Sequence, residues 1–305
     1  MRTIDELYKL KGKSKKMAVV ACQDREVLEA VIESYRMGLT IPILIGDKER
    51  TYEISKLYGL DISEFQFIEE PDLHKASEIG VRLAHDGEVD FLMKGLVDTS
   101  ILLKAVLNKE WGIRKFKLLS HVMIYQVDTY HKLLFLTDGG MNLQPNLEEK
   151  ISIINNAAIV ARALDLKEIK VAVLAAKEKV DPKMPATMDA AKLREMYLEG
   201  KFDQDIIIDG PFALDLAISK SACEIKGIKS EVGGDADVLL VPNIEMGNGI
   251  GKAITYLANG ESAGIIVGAK VPIVLTSRAD DNRTKLNSIA LGNAIAINTI
   301  KKDEF

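Results

Sequence analysis

One figure repeats along most of the chain: a short apolar, β-branched run followed by a longer amphipathic stretch. MAVVAC precedes the segment 24–37, IPILIG precedes 47–58, FQFIEE precedes 72–86 and VDFLMKG precedes 98–109. Short runs of this kind read as strands, and apolar residues spaced at three and four read as helices. Strands linked by whole helices are parallel, since an antiparallel pair needs only a tight turn. From Leu118 to Thr137 the figure breaks, because SHVMIYQVD and HKLLFLTDGG adjoin across a short polar turn, the pattern of an antiparallel hairpin. Alternation resumes with helix 146–164, strand IKVAVLAA, helix 185–199, strand DIIIDGP, a helix from about Phe212, strand ADVLLVP and a helix after it. Two further strands, GIIVG and VPIVLTS, lead to a last helix from about Asp281 to Thr299. The expected fold class is therefore α/β, with two α/β domains around a cleft. The first spans 1–132 with 265–305, its sheet completed by the returning C-terminal segment, and the second spans 133–264.

Charge and composition narrow what such a fold can bind. The formal charge is −5, with a pI near 5.6, so no broad basic surface invites nucleic acid, and a bound phosphate needs local donors. The first twenty residues hold no apolar core suited to a signal peptide, and no run approaches the roughly 20 apolar residues of a membrane span. A cytoplasmic protein with no membrane partner is expected. The two cysteines, Cys22 and Cys223, form no Cys-x-x-Cys pair, and the four histidines make no metal-spaced helical pair, so no metal site is expected. With neither Gly-x-Ser-x-Gly nor a nucleophilic cysteine motif, transfer chemistry would run directly between two bound ligands.

In open parallel sheets, ligands bind beyond the carboxyl ends of strands, where helix N-termini present N–H groups. Five exits carry polar or glycine residues: MKGLVDTS, TDGGMN, DGPFALD, PNIEMGNGIGK and LTSRADD. In the fourth, Asn243–Lys252 reads as a glycine-rich turn that presents N–H groups and Lys252 to an anion. It fits neither the phosphate-loop nor the dinucleotide fingerprint, because Gly247, Gly249 and Gly251 are spaced by two and Gly251-Lys252 is followed by Ala253. In the fifth, Arg278 can fork onto a phosphate or carboxylate with Ser277 donating to the same anion, while Asp280 or Asp281 caps the last helix or serves as a base. Lys94, a charge at the end of an apolar strand, is either a second anion donor or a snorkelling strand-end lysine. For each exit alone, turn-making and helix capping are the competing use.

Taken in order, FLMKGLVDTSILLKAVLNKE, LFLTDGGMNLQPNLEEKI, IIIDGPFALDLAIS, VPNIEMGNGIGKA and VPIVLTSRADDNRTKLNSIALG resemble the phosphate acetyltransferase and phosphate butyryltransferase family, more closely its butyryltransferase branch. The resemblance implies a fold related to that of isocitrate and isopropylmalate dehydrogenases, usually assembled as a homo-oligomer. It implies reversible transfer of an acyl group between coenzyme A and inorganic phosphate, both substrates, with no tightly bound cofactor. Ser277 and Arg278 match the family's Ser-Arg pair. The seventh position after that serine, which holds a thiol-deprotonating aspartate in the acetyltransferases, is Thr284 here, and Asp280 takes that role by proximity. Lys94, Gly95, Asp138, Gly139, Asn142, Asn243, Gly247, Asn248, Gly249, Lys252 and Thr276 complete the expected substrate contacts. An acetyl-preferring enzyme of the same family and a non-catalytic sensor of coenzyme A or acyl phosphate stand as alternatives. A decarboxylating dehydrogenase lacks its nicotinamide fingerprint and aspartate cluster.

Overall fold

The computed structural model of the chain describes residues 3–9, 14–277 and 280–299. A 3-10 segment, Ile4–Lys9, precedes β1 (Lys15–Val20), α1 (Arg25–Arg36), β2 (Thr40–Gly46), α2 (Lys48–Tyr58), β3 (Gln66–Glu69), α3 (Leu73–His85), β4 (Phe91–Lys94) and α4 (Thr99–Val106). There follow β5 (Ser120–Gln126), β6 (Leu134–Thr137), α5 (Leu147–Ala163), β7 (Ile169–Leu174), α6 (Pro185–Leu198), β8 (Ile206–Phe212), α7 (Leu214–Ile218), α8 (Lys220–Lys226), β9 (Val238–Leu240) and α9 (Ile244–Leu257). The chain closes with β10 (Glu261–Val267), β11 (Ile273–Val274) and α10 (Asn282–Thr299).

Local chemistry sets the helix starts. Asp24, Asp47 and Asp72 each accept a backbone N–H three residues on, from Val27, Arg50 and Lys75, at 2.9 Å. Asn146 and Glu149 bond reciprocally in a capping box at the start of α5. Each cap satisfies a donor that the helix itself leaves orphaned, an effect of about 1 kcal/mol.

The chain divides into two compact units, one of residues 120–261 and one of residues 4–119 with the segment from 262 onward. In the two-segment unit the sheet order is β3-β2-β1-β4-β11-β10. Its first five strands are parallel and β10 runs antiparallel to β11. Helix α10 is buried on all faces from Lys285 to Ile297, with Leu286, Ile289, Ala290, Ala294 and Ile297 among its apolar contacts. It lies so close to the sheet that a Cβ on Gly292 would stand 2.9 Å from Val274 Cγ2 and 3.0 Å from Phe91. Polar stitches hold the returning segment: Ser288 Oγ accepts from Gly264 N at 2.9 Å, and Tyr8 Oη donates to Asn287 Oδ1.

In the unit 120–261 the order is β5-β6-β9-β7-β8, with the β5–β6 hairpin antiparallel and the remaining pairs parallel. A charged cluster ties the amino ends of β7 and β9. Asp235 takes Lys170 Nζ at 2.7 Å, His131 Nε2 at 2.7 Å and Lys132 Nζ at 3.2 Å. Burial works to raise the Asp235 carboxyl. The bonds from Lys170 and His131 and the charge of Lys132 overcome it and hold the group well below the usual carboxylate range.

Two sequence expectations change. DGPFALD is not a strand exit, since Asp209–Phe212 lies inside β8. The register against β7 shifts there between Ala172 and Leu174, and Gly210, at φ 151°, brings its backbone close to Val173 O. The glycine is needed for a bulge. Asp209 is occupied by Arg194, at 2.7 Å. The expected glycine-rich turn after β9 is likewise absent, because Asn243 is the N-cap of α9 and the helix runs through all three glycines.

Candidate active site

Because β1, β4 and β11 are adjacent and parallel, their carboxyl ends open side by side. The backbone after β4 lies directly on the backbone after β1: Gly95 N donates to Val20 O at 2.8 Å and Leu96 N to Ala21 O at 2.7 Å. A Cβ on Gly95 would stand 2.2 Å from Ala21 O, so glycine is required there by contact with another main chain. Lys94 is 6% exposed, and its ammonium donates to Gly95 O at 3.2 Å and Val97 O at 3.1 Å. It is therefore turned into the loop at the strand end, which is not the geometry of a snorkelling lysine.

After β11, Thr276 is buried and Ser277 exposed. Asp280 Oδ2 accepts from Ser277 N at 2.7 Å while Asp280 N donates to Ser277 O at 3.2 Å. Asp281 Oδ1 accepts from Thr284 N at 2.8 Å, so Asp281 is the aspartate that caps the last helix. Asp24, Lys94, Gly95, Thr276, Ser277 and Lys285 share one recess of about 20 Å³. Arg278 lies outside the described residues. The structure adds Asp24 and Lys285 to the residues that the sequence singled out. The β1 exit carries no glycine signal, and Lys285 falls in the expected last helix with no motif around it to mark it.

The second group of expected residues gathers at the exits of β6 and β9 within the unit 120–261. Asp138, 2% exposed, spends its carboxylate on its own loop and on β5. Oδ1 accepts from Gly140 N and Met141 N at 2.9 Å, and Oδ2 accepts from His121 N at 2.9 Å and Asn142 Nδ2 at 2.6 Å. It thus shapes the Gly139–Asn142 turn. Gly139 meets Gly247 of α9 backbone to backbone: a Cβ on Gly139 would stand 2.7 Å from Gly247 C, and one on Gly247 would stand 2.6 Å from Gly139 Cα. Gly251 accommodates Tyr125, whose Oη would lie 2.7 Å from a Cβ, while Gly249 has nothing within 4 Å.

These contacts correct the reading of Asn243–Lys252. The Asn243 side chain accepts from Met246 N at 3.0 Å as a cap, and Gly249 and Lys252 lie within α9. N–H groups inside a helix are committed to its own carbonyls and cannot cradle an anion. The glycine spacing reflects close packing instead. Asn248 and Lys252 are exposed, with Lys252 Nζ 5.8 Å from the Tyr256 ring centroid. His121, which the sequence did not mark, is 8% exposed and places its ring against Gly140.

Among the described residues no group of three His, Cys, Asp or Glu gathers as metal ligands. Nor is any helix long and apolar enough to cross a membrane. Cys22, just past β1, has its thiol pushed up to about 11 by burial, with a contact to Thr51 at 3.6 Å working the other way.

Residues 69–293 match the family model described as phosphate acetyl/butaryl transferase. A phosphate butyryltransferase of Clostridium acetobutylicum is 44% identical over 293 residues, covering 96% of this chain and 97% of its own length. A phosphate acetyltransferase of Thermotoga maritima is 41% identical over 286 residues, covering 94% and 97%. Among solved structures, a branched-chain phosphotransacylase from Enterococcus faecalis V583 has a TM-score of 0.81 at 30% identity, over 92% of this chain and 99% of that one.

Proposed function

The chain belongs to the phosphate acetyl/butyryl transferase family, and from that premise we propose that it is a phosphate butyryltransferase. The observation that carries the reading is near-complete coverage at 44% identity by a phosphate butyryltransferase. In the proposed reaction a phosphate oxygen attacks the thioester carbonyl of butyryl-CoA. A C–O bond forms, the C–S bond breaks, and the sulfur leaves as a thiolate that takes up a proton; the reverse begins with thiolate attack on the acyl phosphate. Both directions pass through an oxyanion, which cationic and N–H donors stabilise. Coenzyme A and phosphate are the family's substrates, and no tightly bound cofactor is invoked.

In this reading Ser277 and Arg278 bind phosphate and the developing charge, and Lys94 with Gly95 and Thr276 forms the wall beside them. Asp280 is the proposed thiol base, and its bond to Ser277 N fixes its position. For the other unit the proposal narrows to Asn142, Asn248 and Lys252 as ligand-facing groups, with Asp138, Gly139, Asn243, Gly247 and Gly249 setting backbone shape. The proposal also carries forward a homo-oligomer in the cytoplasm. Its architecture is two domains, 1–132 with 265–305 and 133–264, around a substrate cleft of the isocitrate/isopropylmalate dehydrogenase-like kind. A crystal structure with coenzyme A bound tests that architecture.

The test of activity is phosphate-dependent release of free thiol from butyryl-CoA, with acetyl-CoA in parallel and phosphate omitted as control. Preference for butyryl-CoA supports the proposal. Preference for acetyl-CoA would favour the second reading, an acetyltransferase, which the 41% identity of the Thermotoga maritima phosphate acetyltransferase keeps in play. One methylene is worth only about 1–3 kcal/mol in an apolar pocket, so the acyl preference is a matter of volume. No release from either thioester, by protein that binds coenzyme A, would leave a sensor.

A further inference from the structure

Lys285 is 3% exposed, in the second turn of α10, and its ammonium donates to Asp280 O. No carboxylate among the described residues pairs with it. Lys150 in the other unit, 4% exposed, shows how this chain treats a lysine buried for structure: its ammonium meets Asp189 Oδ2 at 2.5 Å. An uncompensated buried charge is strongly unfavourable, and one carbonyl does not neutralise it. Lys285 lines the same recess as Lys94, Thr276 and Ser277. The one carboxylate on that recess's β1 side, Asp24, accepts from Val27 N at 2.9 Å and forms no ion pair with Lys285.

We propose that Lys285 is a phosphate-binding residue, and that the missing counter-charge is the phosphoryl group of the substrate. The inference rests on the acyltransferase reading and deepens it by assigning this lysine to one of the two substrates. The recess, about 20 Å³, has room for groups the size of phosphoryl oxygens. Lys94 lines the same recess and adds positive charge to its wall. The arrangement leaves the ligand-free protein with a stored electrostatic cost that phosphate removes, which is how a binding site holds its charge in position ahead of the ligand.

The experiment compares wild type, Lys285→Met and Lys285→Arg in two assays. In the first, initial rates of thiol release are measured with phosphate and butyryl-CoA varied separately. Lys285→Met should raise KM for phosphate about tenfold or more while KM for butyryl-CoA stays within about twofold, and Lys285→Arg should recover part of the loss. In the second, melting temperatures are taken with and without inorganic phosphate. Ligand-free Lys285→Met should melt at or above wild type, and its phosphate-induced rise should be smaller. An unchanged phosphate KM, a rise in KM for butyryl-CoA instead, or a ligand-free Lys285→Met that melts well below wild type or does not fold would each overturn the proposal. If wild type releases no thiol, the acyltransferase reading fails by itself. The melting comparison with phosphate then still decides the role of Lys285: equal phosphate shifts in wild type and Lys285→Met would overturn it.

Discussion

Replacing Gly139 and Gly249 by alanine, one at a time, should move stability in opposite directions. A methyl on Gly139 would lie 2.7 Å from Gly247 C, 3.0 Å from Gly247 O and 3.1 Å from Asn248 N. All three are main-chain atoms of α9, so none can rotate aside as a side-chain end would. Overpacking of this kind costs about 1–3 kcal/mol. At Gly249 nothing lies within 4 Å, and the residue is inside the Ile244–Leu257 helix, where alanine is better than glycine by about 0.5–1 kcal/mol. At roughly 2 °C per kcal/mol for a chain of this size, Gly139→Ala should melt about 2–6 °C below wild type and Gly249→Ala about 1–2 °C above it. Thermal melts followed by circular dichroism measure both. If Gly139→Ala melts with wild type, the backbone contact is wrong; if Gly249→Ala loses several degrees, the helical assignment of Asn243–Lys252 is wrong and the glycine-turn reading returns.

Three further outcomes are expected. With burial holding the Cys22 thiol at about 11, and burial with Asp215 nearby raising Cys223, native protein should resist a thiol reagent at pH 8. The Cys22 thiolate fraction there is about one in a thousand; rapid labelling of either cysteine before denaturation would contradict this. Because the folded Asp235 carboxyl lies below its unfolded value, its contribution is complete above about pH 4 and is lost as pH falls further, toward the folded value. Asp235→Asn should therefore be less stable by about 1–3 kcal/mol in urea at pH 7, with a gap that shrinks below pH 4; a gap that does not depend on pH would assign its role to packing. Arg278→Ala should lower turnover about 100-fold or more at an unchanged melting temperature, and near-normal turnover would remove Arg278 from the mechanism.

The alternation of apolar runs and amphipathic stretches was enough to expect parallel strands, the β5–β6 hairpin and nearly every helix, because burial of one helix face is written at a fixed spacing. What misled was glycine. A glycine allows a turn, a bulge or a backbone contact, and which one it serves depends on what lies opposite in space. Gly247 and Gly251 face Gly139 and Tyr125, more than a hundred residues away in sequence, so the string MGNGIG looks like a loop and is a helix. The same limit applies to Lys285. Its surroundings come from β1, β4 and β11, and neither its burial nor the absence of a carboxylate partner among the described residues leaves a local trace. Asp138 was legible as a strand-exit aspartate, but its four donors were not.

The return of the chain to its first unit also sets an order of events during synthesis. Phe91–Lys94 pairs on one side with β1 and on the other with Ile273–Val274, so half of its ladder is missing until the ribosome has made roughly 180 more residues. At about 5–20 residues per second that delay is on the order of 10–30 s. Throughout it, the nascent chain exposes an apolar edge and the face that α10 will cover, and by its end the contiguous segment 120–261 is complete. Ribosome-arrested chains carrying residues 1–265 followed by a linker long enough to clear the exit tunnel should show that segment resistant to protease and the amino-terminal one open to it. A cell making this protein thus holds a finished later half and an unfinished earlier one at the same moment, and the stretch most in need of a chaperone is the one translated first.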